Sequence, residues 1–245
     1  MIESFLRIMP SAVSRGIFIT FEGPEGSGKS THIKLLARWL RSPRRPGRRV
    51  VVTREPGGTG LAKTLRQYLL HTQNPVAPLS ELLLYEADRA QHMDECVLPA
   101  LKRGRVVLCD RFSDSTVAYQ GYGRGLDLTL IHTLNRIASY GRKPDLTVLI
   151  DVPAGRGLRK ASARKKGKDR LEKAGLAFHQ RVRNGFLKLA RKEPRRFRVV
   201  KQQPGQAETQ QRVRQAVLSV IPAKARTPHY RRARPVVWRA GIQRR

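Results

Sequence analysis

The chain is short of acidic residues, short of cysteine and without any long apolar run, and each shortage excludes something. Asp and Glu number 18 against 50 Lys and Arg in 245 residues, a formal charge of +32. Such an excess is uninformative about fold, but it favours phosphate-rich ligands, nucleic acid and anionic surfaces over cationic partners. The two cysteines, Cys96 and Cys109, lack metal-ligand spacing and make no disulfide framework, which fits a reducing, cytoplasmic setting. Cys109 lies inside an apolar run and reads as a small core residue. No apolar stretch approaches the ~20 residues of a membrane span, so no membrane partner is expected. Met1 to Arg15 lacks the apolar core of a signal peptide and reads as a loose extension.

The length suits one α/β domain with a substantial core. Basic residues crowd its later part: residues 156–201 hold 18 Lys and Arg against 3 Asp and Glu, and residues 221–245 hold 8 with no acid. The hydrophobic pattern fails after Ile221, so 222–245 reads as a disordered basic tail, with a domain over 16–221. Short Val/Ile/Leu-rich runs predict strands at Ile17–Glu22, Arg49–Thr53, Val106–Asp110, Leu146–Asp151 and Phe197–Val200. The first four end on a polar or charged residue, as central parallel strands do when functional groups sit at their C-terminal ends. Helical spacing predicts helices at His32–Arg41, Leu61–Leu70, Leu79–Lys102, Leu128–Tyr140, Gly155–Lys166, Leu171–Arg191 and Glu208–Val220. Pro99 falls within the third and predicts a kink or late turn.

Gly23-Pro24-Glu25-Gly26-Ser27-Gly28-Lys29-Ser30 fits G-x-x-x-x-G-K-[ST] between a predicted strand and a predicted helix. Its glycines let backbone N–H groups surround an anion at the positive end of the helix. Lys29 has the reach for β- and γ-phosphates, and the Ser30 hydroxyl suits Mg²⁺. A nucleotide with Mg²⁺ is therefore the expected ligand. Thr53-Arg54-Glu55-Pro56-Gly57-Gly58 follows the second strand, and Asp110-Arg111 ends the third. Leu84 to Arg89 lies on a helix between them. A doubly wound sheet collects these groups at one edge, where ligands bind. Phosphoryl transfer needs alignment and neutralisation of spread negative charge rather than a protein nucleophile, and the planar fork of arginine suits phosphate oxygens.

The segments ITFEGPEGSGKS, VVTREPGGTG, LLLYEADRAQH, VVLCDRFSDSTVAYQGYGRG and PDLTVLIDV resemble bacterial thymidylate (dTMP) kinase from about Gly16 to about Ile221. The resemblance implies a P-loop nucleoside monophosphate kinase fold with a five-stranded parallel sheet flanked by helices. It also implies transfer of the γ-phosphoryl group of ATP to dTMP, and a homodimer.

Residue by residue, the resemblance assigns Lys29, Arg111 and Asp110 to catalysis, with Ser30 and Asp110 at the metal. Glu25 matches a loop acid near the acceptor sugar and phosphate, Arg54 and Glu55 a pair beside the acceptor, and Arg66 a contact to the dTMP phosphate. Tyr85 and Arg89, four apart and so on one helix face, match a ring stacking on thymine and an arginine bonding a base carbonyl; the family usually has Phe where this chain has Tyr85. Thr116 and Gln120 match positions that read the base or sugar edge. Residues 158–172 resemble the family's lid. The phosphate loop has no basic residue at its variable positions, so the resemblance implies a lid arginine at the transferring charge, with Arg164 and Arg170 both candidates.

Two other readings stay open: a kinase for another nucleoside monophosphate, and a P-loop nucleic-acid-binding protein whose basic surface and tail make nonspecific contacts.

Overall fold

The computed structural model describes residues 16–42, 49–163 and 169–221. The proposed extension at 1–15, the basic tail at 222–245 and the centre of the expected lid, with Arg164, lie outside the described residues. In chain order the elements are β1 (Ile17–Glu22), α1 (Lys29–Leu40), β2 (Val50–Arg54), α2 (Gly60–His71), α3 (Pro78–His92), α4 (Leu98–Lys102), β3 (Val106–Asp110), α5 (Ser113–Thr116), α6 (Leu128–Ala138), β4 (Leu146–Asp151), α7 (Ala154–Ser162), α8 (Leu176–Lys192), β5 (Phe197–Lys201) and α9 (Gln206–Leu218). The five strands form one parallel sheet in the order β2-β3-β1-β4-β5.

Both faces of the sheet are covered, so the central strands are apolar on both sides. On one face Ile19, Phe21, Val148 and Ile150 pack against Ile33 and Leu36 of α1 and Val213 and Val217 of α9. On the other, Phe18, Val107 and Cys109 meet Met93, Val97 and Phe112, while Leu149 joins Val182, Phe186 and Leu189 of α8. Registers such as Phe21 beside Asp110 and Arg54 beside Asp110 align the ends of β1, β2 and β3. Glu22, Arg54 and Asp110 therefore emerge together at one edge. Among the described residues, no helix is long and apolar enough to cross a membrane.

Several boundaries differ from the sequence reading. The stretch read as one helix from Leu79 to Lys102 divides: a π-helical turn at Met93–Val97 separates α3 from α4. Pro99 sits in the first turn of α4, where its missing N–H is tolerated. The helix expected from Leu171 starts at Leu176. Before it, Asp169 accepts the backbone N–H groups of Leu171 and Glu172 in a local turn, and Gly175 has extended backbone. Residues 113–123 carried no helical expectation, yet form α5 and a π-helical run at Val117–Gly123. Close packing on α8 selects them: a Cβ at Gly123 would stand 2.7 Å from the Phe178 ring.

Candidate active site

The phosphate loop bends over the end of β1. Gly26 has φ 67° and lies so close to α7 that a Cβ would stand 2.0 Å from the Gly157 carbonyl oxygen. Its backbone conformation and its position thus both demand glycine. Lys29 turns back over the loop, donating to the carbonyls of Gly23 and Pro24 at 3.0 Å each. Burial and the nearby Arg111 charge lower its pKa to about 8, against opposing pulls from Glu25 and Asp110.

A cavity of about 370 Å³ opens in front of this loop. Glu25, Gly26, Gly28, Lys29 and Ser30 line one side. Arg54, Glu55, Arg66 and Tyr85 line another, and Asp110, Arg111, Thr116, Tyr119 and Gln120 the floor. The structure thus gathers most of the sequence-derived candidates into one space. A smaller cleft continues past Gly26 and Thr31 to Lys160, Gln202 and Gln206, which extends the loop site between α1, α7 and α9.

Arg111 is the centre of the floor. It follows β3 at φ 70°. Its guanidinium donates to Glu25 Oε1 at 2.5 Å, to the Tyr119 hydroxyl at 2.9 Å and to Ser115 Oγ at 3.0 Å. The Tyr119 hydroxyl in turn donates to the same Glu25 oxygen at 2.7 Å. Burial would raise the Glu25 pKa, but the charges of Arg111 and Lys29 and the Tyr119 hydrogen bond outweigh it and bring the value down to about 2. Glu25 is a fixed anion that holds Arg111 in place. Beneath them Glu22 accepts the Phe112 N–H at 2.7 Å and the Ser115 hydroxyl at 2.6 Å. Burial and then the Asp114 charge raise its pKa to about 8.

Ser30 Oγ donates to Asp110 Oδ2 at 2.5 Å. Two hard oxygen donors beside a phosphate loop suit Mg²⁺, which usually takes one or two protein oxygens and completes its shell with phosphates and water. No cluster of three or more His, Cys, Asp or Glu able to hold a metal occurs among the described residues.

The TREPGG loop is fixed from below. Glu55 lines the cavity, but its oxygens are committed to Arg89 Nε at 2.9 Å and His92 Nδ1 at 2.8 Å. His92 Nε2 lies 2.6 Å from Thr53 Oγ1. Asp88 accepts the Gly57 N–H at 2.8 Å, and a Cβ at Gly58 would lie 2.3 Å from the His92 ring. Arg66 donates to the Pro56 carbonyl at 2.8 Å. Its pKa is lowered, first by burial and then by the like charge of Arg54. Arg54 has no ion-pair partner among the described residues. Two neighbouring arginines, neither in an ion pair among the described residues, make an anion site.

Two candidates sit differently from their sequence assignments. Arg89 does not line the cavity; it lies beneath it, 2% exposed. It donates to Glu86 at 2.7 Å, Asn135 at 2.6 Å and Thr116 at 2.9 Å as well as to Glu55, so it ties the TREPGG loop to α3, α5 and α6. Arg170 is also absent from the cavity wall. It pairs with Glu81 of α3 and donates to the Leu69 carbonyl at 2.9 Å, stapling the turn at 169–174 to α2 and α3. A buried carboxylate attracts it more strongly here than solvent beside the loop would. Sequence reasoning also missed Tyr119, Ser115 and Glu22. Tyr119 stands inside the S-T-x-A-Y-Q-G run and Glu22 immediately before the loop, so position gave a signal for both.

Comparison with known proteins agrees with this geometry. A family model described as "Thymidylate kinase" matches residues 21–213. A protein named thymidylate kinase from Geotalea uraniireducens is 50% identical over 210 residues, covering 83% of this chain and 97% of its own length. Another of that name, from Carboxydothermus hydrogenoformans, is 54% identical over 186 residues, 76% of this chain and 89% of its own. The crystal structure of thymidylate kinase from Ehrlichia chaffeensis superposes with a TM-score of 0.68 at 36% identity, covering 83% of this chain and 99% of that one.

Proposed function

The chain belongs to the thymidylate kinase family, it moves the γ-phosphoryl group of ATP to dTMP to give dTDP and ADP, and we propose how its own residues divide that work. The catalytic unit is residues 16–221, with a lid over about 158–172. The observation that carries the division is that one cavity is walled by the phosphate loop, by Asp110 and Arg111, and by the Arg54–Arg66 pair. Each group faces a different part of a donor–acceptor pair. The loop from Gly23 to Ser30 cradles the ATP phosphates through backbone N–H groups. Lys29 leaves the Gly23 and Pro24 carbonyls to meet the β- and γ-phosphates, recovering full positive charge as it does. Arg111 bridges the acceptor phosphate and the transferring group, held by Glu25 and Tyr119.

Arg54 and Arg66 bind the acceptor phosphate, and Tyr85 stacks on its base beside Thr116 and Gln120. Arg89 and Glu55 contribute as the frame of that pocket. Ser30 and Asp110 would hold Mg²⁺, whose charge would offset that on the β- and γ-oxygens. Arg164 remains the lid candidate for the transferring charge, since Arg170 is engaged by Glu81.

Exposed Leu79 and Leu83 on α3 and Leu130 and Ile137 on α6, two helices that pack together, support a homodimer through that face. Leu83→Asp should convert the dimer to monomer in light scattering. Exposed Lys188, Arg191, Lys192 and Arg195 favour nonspecific nucleic-acid contact that weakens steeply with salt. A cytoplasmic setting fits its two cysteines, neither of which is in a disulfide.

An ADP-release assay tests the assignment. ADP should form only when ATP, Mg²⁺ and dTMP are all present. Equal release without dTMP would remove the acceptor role given to Arg54, Arg66 and Tyr85.

A further inference from the structure

Glu81 is fully buried in the first turn of α3, and the catalytic division above gives it no task. Gln120 Nε2 donates to its Oε1 at 2.7 Å. Arg124 Nη2 donates to its Oε2 at 3.2 Å, and Arg170 forms a second ion pair with the same oxygen. Glu81 thus faces two guanidinium groups and one amide, and a carboxylate only accepts hydrogen bonds. The amide of Gln120 therefore has one permitted orientation, with nitrogen towards Glu81. Gln120 lines the cavity within reach of Tyr85, which lies one turn beyond Glu81 on α3. Its carbonyl oxygen has no partner among the described residues.

We propose that Glu81 is a positioning residue for acceptor-base selection: by taking the Gln120 amide N–H it turns the Gln120 carbonyl oxygen into the cavity, where it accepts the imide N–H of a thymine or uracil. A cytosine presents a lone pair at the same ring position, so the two acceptors would oppose each other. The inference rests on the dTMP-kinase reading and adds the device behind its base preference. It also links base selection to the lid, because Arg170, near the lid's C-terminal end, helps hold the carboxylate that orients Gln120.

Glu81→Gln supplies the test. A neutral amide at position 81 accepts or donates, which frees Gln120 to turn its NH₂ towards the cavity and accept a cytosine. The ratio of kcat/KM for dCMP to that for dTMP should rise about tenfold or more. A purely structural role for Glu81 would lower both values in parallel and leave the ratio fixed, and that result overturns the proposal. If Glu81→Gln loses its cooperative melt, Gln120→Met serves. It keeps Glu81 and its two arginines, and the dTMP preference should fall about tenfold; an unchanged preference overturns the proposal. The wild-type chain is assayed beside both variants. Its failure to phosphorylate dTMP would count against the kinase reading itself, whereas wild-type turnover with a fixed ratio in the variants counts against Glu81 alone.

Discussion

Replacing Tyr119 by Phe removes one oxygen and almost no volume, so it isolates the hydroxyl that joins Arg111 to Glu25. That oxygen accepts from Arg111 at 2.9 Å and donates to Glu25 at 2.7 Å. Both bonds involve a charged partner, and such bonds contribute about 1.5–3 kcal/mol in favourable settings. The Arg111 and Glu25 side chains are each 16% exposed, so water partly replaces what is lost. The expected loss of stability is therefore smaller, about 1–2 kcal/mol. The ring face is retained, with the Arg111 guanidinium 4.8 Å from its centroid, and cation–π attraction persists. What is lost is direction: Arg111 keeps its charge and its Glu25 and Ser115 partners, but loses the contact that fixes its Nη2 end. Bridging two phosphates depends on the angle of that end, so kcat/KM should fall about tenfold, mostly in kcat. Steady-state ADP release and thermal melting, measured on the same preparation, separate the two effects. A kcat/KM within about twofold of wild type, together with a melting temperature that does fall, would refute the view that Tyr119 aims Arg111.

Further outcomes follow from the same geometry. Arg66→Met removes one half of the Arg54–Arg66 anion site, and the KM for dTMP should rise roughly 10- to 100-fold while the KM for ATP stays near wild type; equal rises in both would contradict the assignment. Glu22 has its pKa raised from 4.5 to about 8, and a carboxyl raised on folding stabilises the fold below the lower value and loses that contribution as pH climbs to the upper one. Glu22→Gln should therefore gain stability relative to wild type between pH 5 and 8, read as a widening difference in melting temperature, and parallel curves would refute it. Lys29, lowered to about 8, should take up a proton when ATP binds near that pH. Calorimetry in buffers of different ionisation enthalpy reads this directly, and proton uptake unchanged in Lys29→Met would exclude Lys29 as its source.

The parts of this account that were legible in the sequence are those written locally. The first four strands are apolar runs closed by a polar or charged residue, and all five lie within a residue of their expected ends. The phosphate loop, Thr53–Gly58 and Asp110–Arg111 each follow a strand, so a parallel sheet had to bring them to one edge. What the sequence hid depends on contacts between distant residues. The partner of Gln120 lies 39 positions away at Glu81, and that of Arg170 lies on a different helix. The match that nominated Arg170 for catalysis carried no information about the buried carboxylate that holds it. The resemblance matched Arg89 to a base contact, and its spacing from Tyr85 put both on one helix face, but neither says anything about depth, and its four partners place it under the cavity. Residues 113–123 carried no helical expectation; Ser, Thr and Gly are weak helix formers, and packing on α8 overrides that preference.

The most direct test follows the phosphate itself. Purified chain is given ATP labelled in the γ-phosphate, Mg²⁺ and, separately, dTMP, dUMP, dCMP, dGMP or AMP, and the products are resolved. The account expects the label to pass to dTMP to form dTDP, with dUMP the next best acceptor and little transfer to the others. Label released as inorganic phosphate at the same rate whichever nucleotide is added would contradict it.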